Sequence, residues 1–293
     1  MRDHPSYAII FKAFLIDKFV ARQFARLLLA AGDADVFLML DETNGPAGAT
    51  DYPNVIRYTE ADLIERGFPA LTQGPLFWYN ADYPLYHFQH LHPKYDVVVM
   101  VEYDAVVQID IGAVVQDFYN AELDFIGHPI AKTLDEYWWT GTMTYFYERE
   151  DIRPFLICFA IFSARAIQHL AACRLAHGQT DAVAEQWPLG ECFVGTELST
   201  QNFRVKHLSE IGQLTRYDWW PPVHEMELYE RKQDVVLHPV LNSRRYVTSL
   251  FKNGYYTGFA TIWRKNLVAM VLRCTLHAAW LWLRPGRRSH LTL

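Results

Sequence analysis

The chain has 293 residues, 51% hydrophobic and 20% charged, so it can bury a large core and is not a disordered segment. Its net charge of −6, from 27 Lys and Arg against 33 Asp and Glu, excludes a nucleic-acid binder that is basic over its whole surface. The charge is uneven: residues 1–234 carry −15, whereas the last 59 carry +9 without one acidic residue, an acidic body with a basic end suited to an anionic surface.

In chain order, the start MRDHPSYAIIFKAFL lacks the layout of a signal peptide, and its apolar run 7–14 reads as a strand buried on both faces. Helical periodicity over 18–31 ends at Gly32. Residues 35–40 predict a second strand, 54–58 a third, and 60–66 a short helix. The aromatic stretch 78–91 is partly helical, with Pro84 inside it. Residues 96–101 (DVVVMV) are the clearest buried strand. A helix over 111–119 and a strand over 123–127 follow. Residues 129–153 have no period, are rich in Trp, Tyr, Thr and Gly, and read as a long functional loop. Residues 156–162 predict a strand and 163–176 a helix capped by Ser163. A helix over 190–202, a strand over 204–208, an irregular segment 215–234 and a strand over 235–238 complete the body. Strand–helix–strand order over the first hundred residues predicts an α/β fold with a mostly parallel sheet flanked by helices. The four cysteines, Cys158, Cys173, Cys192 and Cys274, form no Cys-x-x-Cys pair, which speaks against a zinc ribbon or a disulfide framework and fits a reducing compartment.

Ligands of open α/β sheets bind outside the carboxyl ends of the strands. Glu102 and Asp104 stand there, after DVVVMV, and an extended chain puts residues i and i+2 on one side. Paired carboxylates are costly to bury without a cation, and hard oxygen ligands suit Mg²⁺ or Mn²⁺ holding substrate phosphates. The bland alternative is two ordinary acids at a strand end. Trp138, Trp139, Tyr145 and Tyr147 in the long loop have rings that stack on sugars or cover a core equally well. His87, His90 and His92 lack the carboxylate pattern of a zinc enzyme.

The run VVVMVEYDAVV resembles the acid-x-acid segment of GT-A glycosyltransferases, with Glu in place of the usual first Asp. Over residues 6–240 further segments match that family in order: the first strand's end at Phe11, Lys12 and Ala13, the acids Asp41 and Glu42 after the second strand, Tyr58 after the third, ICFAIFSARA at 157–166, WPLGECFVGTEL at 187–198, and His238 at the end of a late strand. The resemblance implies a GT-A-like domain over 1–258. It would be a metal-dependent transferase that moves a sugar from a nucleotide-sugar donor, a UDP- or GDP-sugar, to a glycan or lipid-linked acceptor. Asp104, His238 and Glu102 would hold Mn²⁺ or Mg²⁺, and the histidine would favour Mn²⁺. Glu102 would alternatively reach the ribose. Phe11, Lys12, Asp41, Glu42 and Tyr58 would line the nucleotide. Glu191, with Glu197 second, would be the catalytic base if transfer inverts the anomeric centre, and would position a sugar if it retains it. The rival readings are a nucleotidyltransferase, disfavoured because FKAFLIDK lacks a glycine-rich loop, and a non-catalytic carbohydrate-binding module.

Residues 259–293 form a basic appendage. Its apolar stretch 267–283 is short for a bilayer span and carries Arg273 near its middle, at a cost of about 3 kcal/mol. An amphipathic helix in the membrane interface fits better, with Trp280 and Trp282 at headgroup level and arginines on anionic lipid. The expected location is cytoplasmic, peripheral on the inner face of the cell membrane.

Overall fold

The computed structural model describes residues 4–253. The predicted appendage 259–293, its apolar stretch and the domain boundary at 258 lie outside the described residues. The elements in order are β1 (Tyr7–Ala13), α1 (Lys18–Ala31), β2 (Asp35–Asp41), β3 (Val55–Tyr58), α2 (Glu60–Glu65), α3 (Leu76–Tyr79), α4 (Tyr83–Leu91), β4 (Val97–Glu102) and β5 (Val106–Val107). There follow α5 (Ile111–Asn120), β6 (Phe125–Pro129), α6 (Thr140–Met143), β7 (Phe155–Ser163), α7 (Ala164–His177), α8 (Gly190–Thr200), β8 (Val205–His207), β9 (Val223–His224), β10 (Val236–Leu237), β11 (Val240–Leu241) and α9 (Ser243–Asn253).

Seven strands form one sheet in the order β3-β2-β1-β4-β7-β6-β8. All neighbours are parallel except β7, which runs against β4 and β6. The expected α/β class with a mostly parallel sheet is therefore observed. Alternation along β1 splits the core. Ala8 and Ile10 face a layer containing Leu85 of α4, Leu170 of α7 and Phe193 of α8. Ile9 and Phe11 face Phe19 and Leu27 of α1 and Phe118 of α5.

Local chemistry explains the helix starts. The Asp17 carboxylate accepts from the Phe19 and Val20 N–H groups, both at 2.9 Å. Thr59 and Asp62 form a capping box on α2, and Ser163 caps α7 as its sequence position predicts. The predicted loop 129–153 is more structured than its lack of period implies. β6 runs to Pro129, and α6 forms a single turn because the Thr140 and Thr142 hydroxyls donate to carbonyls just upstream.

α8 has no side-chain cap and instead packs closely, through two glycines. A Cβ on Gly195 would stand 2.2 Å from the Arg153 carbonyl oxygen and 2.5 Å from Phe155 Cδ2. Gly195→Ala is therefore expected to destabilise the protein by about 1–3 kcal/mol in urea unfolding. An unchanged midpoint would mean that α8 and β7 are not in this contact.

The chain divides into two units, the first being residues 4–218 with 233–238. In the other, residues 219–232 and 239–253, β9 and β11 pair in parallel, and Trp220, Leu241, Tyr246 and Leu250 form a small core. There His224 Nε2 and the Ser243 hydroxyl are 3.0 Å apart. Among the described residues no helix is long and apolar enough to cross a membrane.

Candidate active site

The strand order reverses between β1 and β4. β1 continues to β2 and β3 on one side, and β4 leads to β7 on the other. Such a switch point leaves a crevice outside the carboxyl ends of the strands. Lys12 and Glu102 are register partners at those ends. The Lys12 ammonium is fully buried and donates to the Ala81 carbonyl at 2.8 Å and to Glu102 Oε1 at 3.1 Å, with the Phe77 ring 5.1 Å away. A buried lysine needs this pairing, and in turn it places a positive charge beside the partly buried Glu102 carboxylate.

Asp104 does not continue the strand, as an extended reading of the triplet predicts. β4 stops at Glu102, and the Ala105 N–H returns to the Glu102 carbonyl at 3.0 Å, so a tight turn aims the second acid. Asp104 is buried, and its Oδ1 has no hydrogen bond. The nearest cationic atom is His238 Nε2 at 3.5 Å, long for a hydrogen bond. His238 Nδ1 lies 2.9 Å from the Asp218 carbonyl oxygen, which orients the ring with Nε2 toward Asp104. Burial would push the His238 imidazole down, but Asp104 and Glu102, with the Asp218 carbonyl, raise it to about 9.

Glu102, Cys158 and His238 each bring a ligand atom to within 4.8 Å of the others. With the Asp104 oxygen, which meets only His238 at 3.5 Å, this is a donor set of carboxylate, imidazole and sulfur that fits a divalent cation. β7 pairs Phe159 with Val101, and so carries Cys158 alongside the end of β4. Sequence spacing does not reveal Cys158. Only the antiparallel register does.

Glu191 sits in the first turn of α8, where a helix N-terminus favours an anion. Even so, burial and then the Glu102 charge raise its carboxyl to about 8, against the opposing pull of His238, Lys12 and the Ile157 N–H. It therefore belongs electrostatically to the same corner. Glu197 does not. It follows six residues later, about 120° away around the helix, and its carboxylate meets Tyr147, His169 and Cys173.

The remaining candidates surround the other side of the crevice. Phe11 is buried against Phe24 at 5.1 Å, so its ring offers no open face. Asp41 is buried and accepts from the Thr43 N–H at 2.9 Å. Glu42 accepts from the Ala47 N–H at 2.9 Å and pairs with Arg57, and the first of these contacts leads in holding its carboxyl below the usual range. Tyr58 is buried with an unbonded hydroxyl, which burial, then Asp41 and Glu102, push well above its ordinary value. Phe14, Phe77 and Tyr103 form an aromatic rim, with Phe14 at 5.4 Å from Phe77 and 5.3 Å from Tyr103. Position alone marks them, since Phe14 follows β1 directly and Tyr103 lies between the two acids. Trp139 packs on Trp78 and Tyr79, whereas Trp138 is exposed.

No family model matches the sequence, and no curated protein does. The chain is similar to a solved glycosyltransferase involved in glycosylation of the major capsid of PBCV-1, at 7% identity over 84% of this chain and 100% of that one, with a TM-score of 0.42. It is likewise similar to the galactosyltransferase LgtC solved with donor and acceptor sugar analogues, at 9% identity over 84% of this chain and 95% of that one, with a TM-score of 0.42. A third similar structure is the 4-diphosphocytidyl-2C-methyl-D-erythritol synthase of Anaerococcus prevotii, at 10% identity over 70% of this chain and 86% of that one, with a TM-score of 0.39.

Proposed function

We propose that this chain is a metal-dependent glycosyltransferase that moves a sugar from a UDP- or GDP-sugar to a glycan or lipid-linked acceptor. The observation that carries the reading is the buried Asp104 oxygen, left without a hydrogen bond where the strand order reverses and facing His238 beside Glu102. Asp104, His238 and Glu102 would hold Mn²⁺ or Mg²⁺. An ion bound there offsets the negative charge that grows on a departing nucleoside diphosphate.

The chain's own groups divide the remaining work. Lys12, fixed by Ala81 and Glu102, keeps positive charge under the crevice without reaching solvent. The Phe14–Phe77–Tyr103 rim supplies flat apolar faces for a base or sugar, and the free Tyr58 hydroxyl supplies a buried donor. Glu191 takes the proton from the acceptor hydroxyl if transfer inverts the anomeric centre, and positions a sugar if it retains it. A carboxyl held near 8, with His238 and Lys12 already pulling it down, is mostly protonated at neutral pH, and a divalent ion held by Asp104, His238 and Glu102 would favour the ionised form that a base needs. Nine Lys and Arg after Asp234, with no acid, suit a peripheral position on an anionic membrane that carries the acceptor.

The test is a nucleotide-release screen of UDP- and GDP-sugars with Mn²⁺, Mg²⁺ or chelator. Release of nucleoside diphosphate that depends on metal is expected. Release of pyrophosphate from a nucleoside triphosphate and a sugar phosphate would point to a nucleotidyltransferase instead. Glu191→Gln is expected to lower turnover about 10²–10⁴-fold while donor binding by calorimetry stays within a few-fold. Turnover near wild type would remove Glu191 from the chemistry.

A further inference from the structure

The first unit holds a second cluster of metal-ligating side chains that the transfer reaction does not use. His169 and Cys173 are four residues apart on α7 and therefore share one helix face. Glu197 faces them from α8. Its Oε1 lies 2.7 Å from His169 Nε2 and 3.3 Å from Cys173 Sγ, and the latter two atoms are 3.5 Å apart.

We infer that His169, Cys173 and Glu197 form a separate site for a borderline-soft divalent ion of the Zn²⁺ class, one that ties α7 to α8. With Zn–N and Zn–O near 2.0–2.1 Å and Zn–S near 2.3 Å, tetrahedral donors sit about 3.4–3.6 Å apart. Two of the three observed separations already approach that spacing, and the third needs the Glu–His pair to open by about 0.6–0.7 Å. Imidazole, thiolate and carboxylate together favour Zn²⁺ over the hard ions. Three protein ligands leave a fourth position for water.

Two further observations point the same way. Glu197 is buried and makes no ion pair with a lysine or arginine among the described residues, so the groups that meet Oε1 are the imidazole and thiol of α7, both of them metal-ligating side chains. The Tyr147 hydroxyl donates to Glu197 Oε2 at 2.8 Å, fixing the carboxylate so that Oε1 points to both α7 side chains. A cavity of about 650 Å³ is lined in part by Glu197, Tyr147, His177 and Arg153.

Co²⁺ replaces Zn²⁺ in such sites and reports thiolate ligation by a charge-transfer absorption band. Titrating the full chain with Co²⁺ is expected to produce that band, which Zn²⁺ then removes. It should survive Cys158→Ser, which removes the sulfur of the β4 corner, and vanish when Cys173→Ser is added to that variant. Tyr147→Phe is expected to weaken Co²⁺ binding about 10–100-fold. A second measurement needs no variant: Zn²⁺ should slow alkylation of Cys173 in the wild-type protein by about 10-fold or more, read by peptide mass mapping. No band in the wild type, a band lost in Cys158→Ser or kept once Cys173→Ser is added, or an unchanged Cys173 alkylation rate would each overturn the site.

Discussion

Asp104→Asn is expected to reduce kcat/KM for the sugar donor on the order of 10²–10³-fold and to abolish the metal dependence of nucleoside diphosphate binding. The substitution keeps the size and shape of the side chain and removes only its charge. What it changes is the content of a small buried corner. In the native chain Asp104 Oδ1 is shielded from solvent and has no hydrogen bond, the state of a ligand prepared for a cation. His238 answers to the same charge. Burial presses its imidazole toward the neutral form, and Asp104 leads the groups that oppose this. Without Asp104 the corner loses an anionic ligand, and His238 moves back toward neutrality. Calorimetry with UDP and GDP, with and without Mn²⁺, separates the outcomes. A variant that binds like wild type, with an unchanged response to metal, would sink the assignment of Asp104.

Arg174→Met is expected to cost about 3–5 kcal/mol of stability in urea unfolding, the largest single loss of stability foreseen for a substitution outside the crevice. Arg174 and Asp82 have side chains with no exposure at all. The guanidinium donates to the two Asp82 oxygens at 2.8 and 3.1 Å and to the Pro188 carbonyl at 2.9 Å, while the Tyr86 hydroxyl donates to Asp82 at 2.8 Å. One pair thus joins α7, the start of α4 and the segment leading into α8. Removing the cation strands a buried carboxylate. The Arg174→Met/Asp82→Asn double variant no longer buries an unpaired charge and is expected to regain more than half of the loss. If the single variant unfolds at the wild-type midpoint, the pair does not hold these elements together. Gly190 fits the same arrangement, because a Cβ there would stand 2.5 Å from Asp82 Oδ1. The pair therefore also sets where α8, and with it Glu191, begins.

These two sites show what sequence discloses and what it hides. The apolar run of β4, the periodic face of α1, the Ser163 cap and the strand-end position of Glu102 are local signals, and each is present within a few residues. The partners that give those positions meaning are remote. Lys12 reaches Glu102 across 90 positions, and Arg174 reaches Asp82 across 92. No periodicity encodes such pairings. Cys158 joins the β4 corner only because β7 runs antiparallel, and Glu197 leaves it because its place around α8 turns it to His169 and Cys173. The triplet Glu102–Tyr103–Asp104 was legible as an acidic site but not as a turn, since its extended and bent forms share one sequence.

The interior position of β1 in the sheet has a consequence for synthesis on the ribosome. Its two hydrogen-bonding neighbours, β2 and β4, both emerge after it, and the second only once residue 102 has been added. Until then the Lys12 ammonium has no counter-ion, and one edge of the strand stands open. A nascent chain halted before β4 would display an unpaired, strongly apolar edge, the form in which chains of this topology are most exposed to self-association.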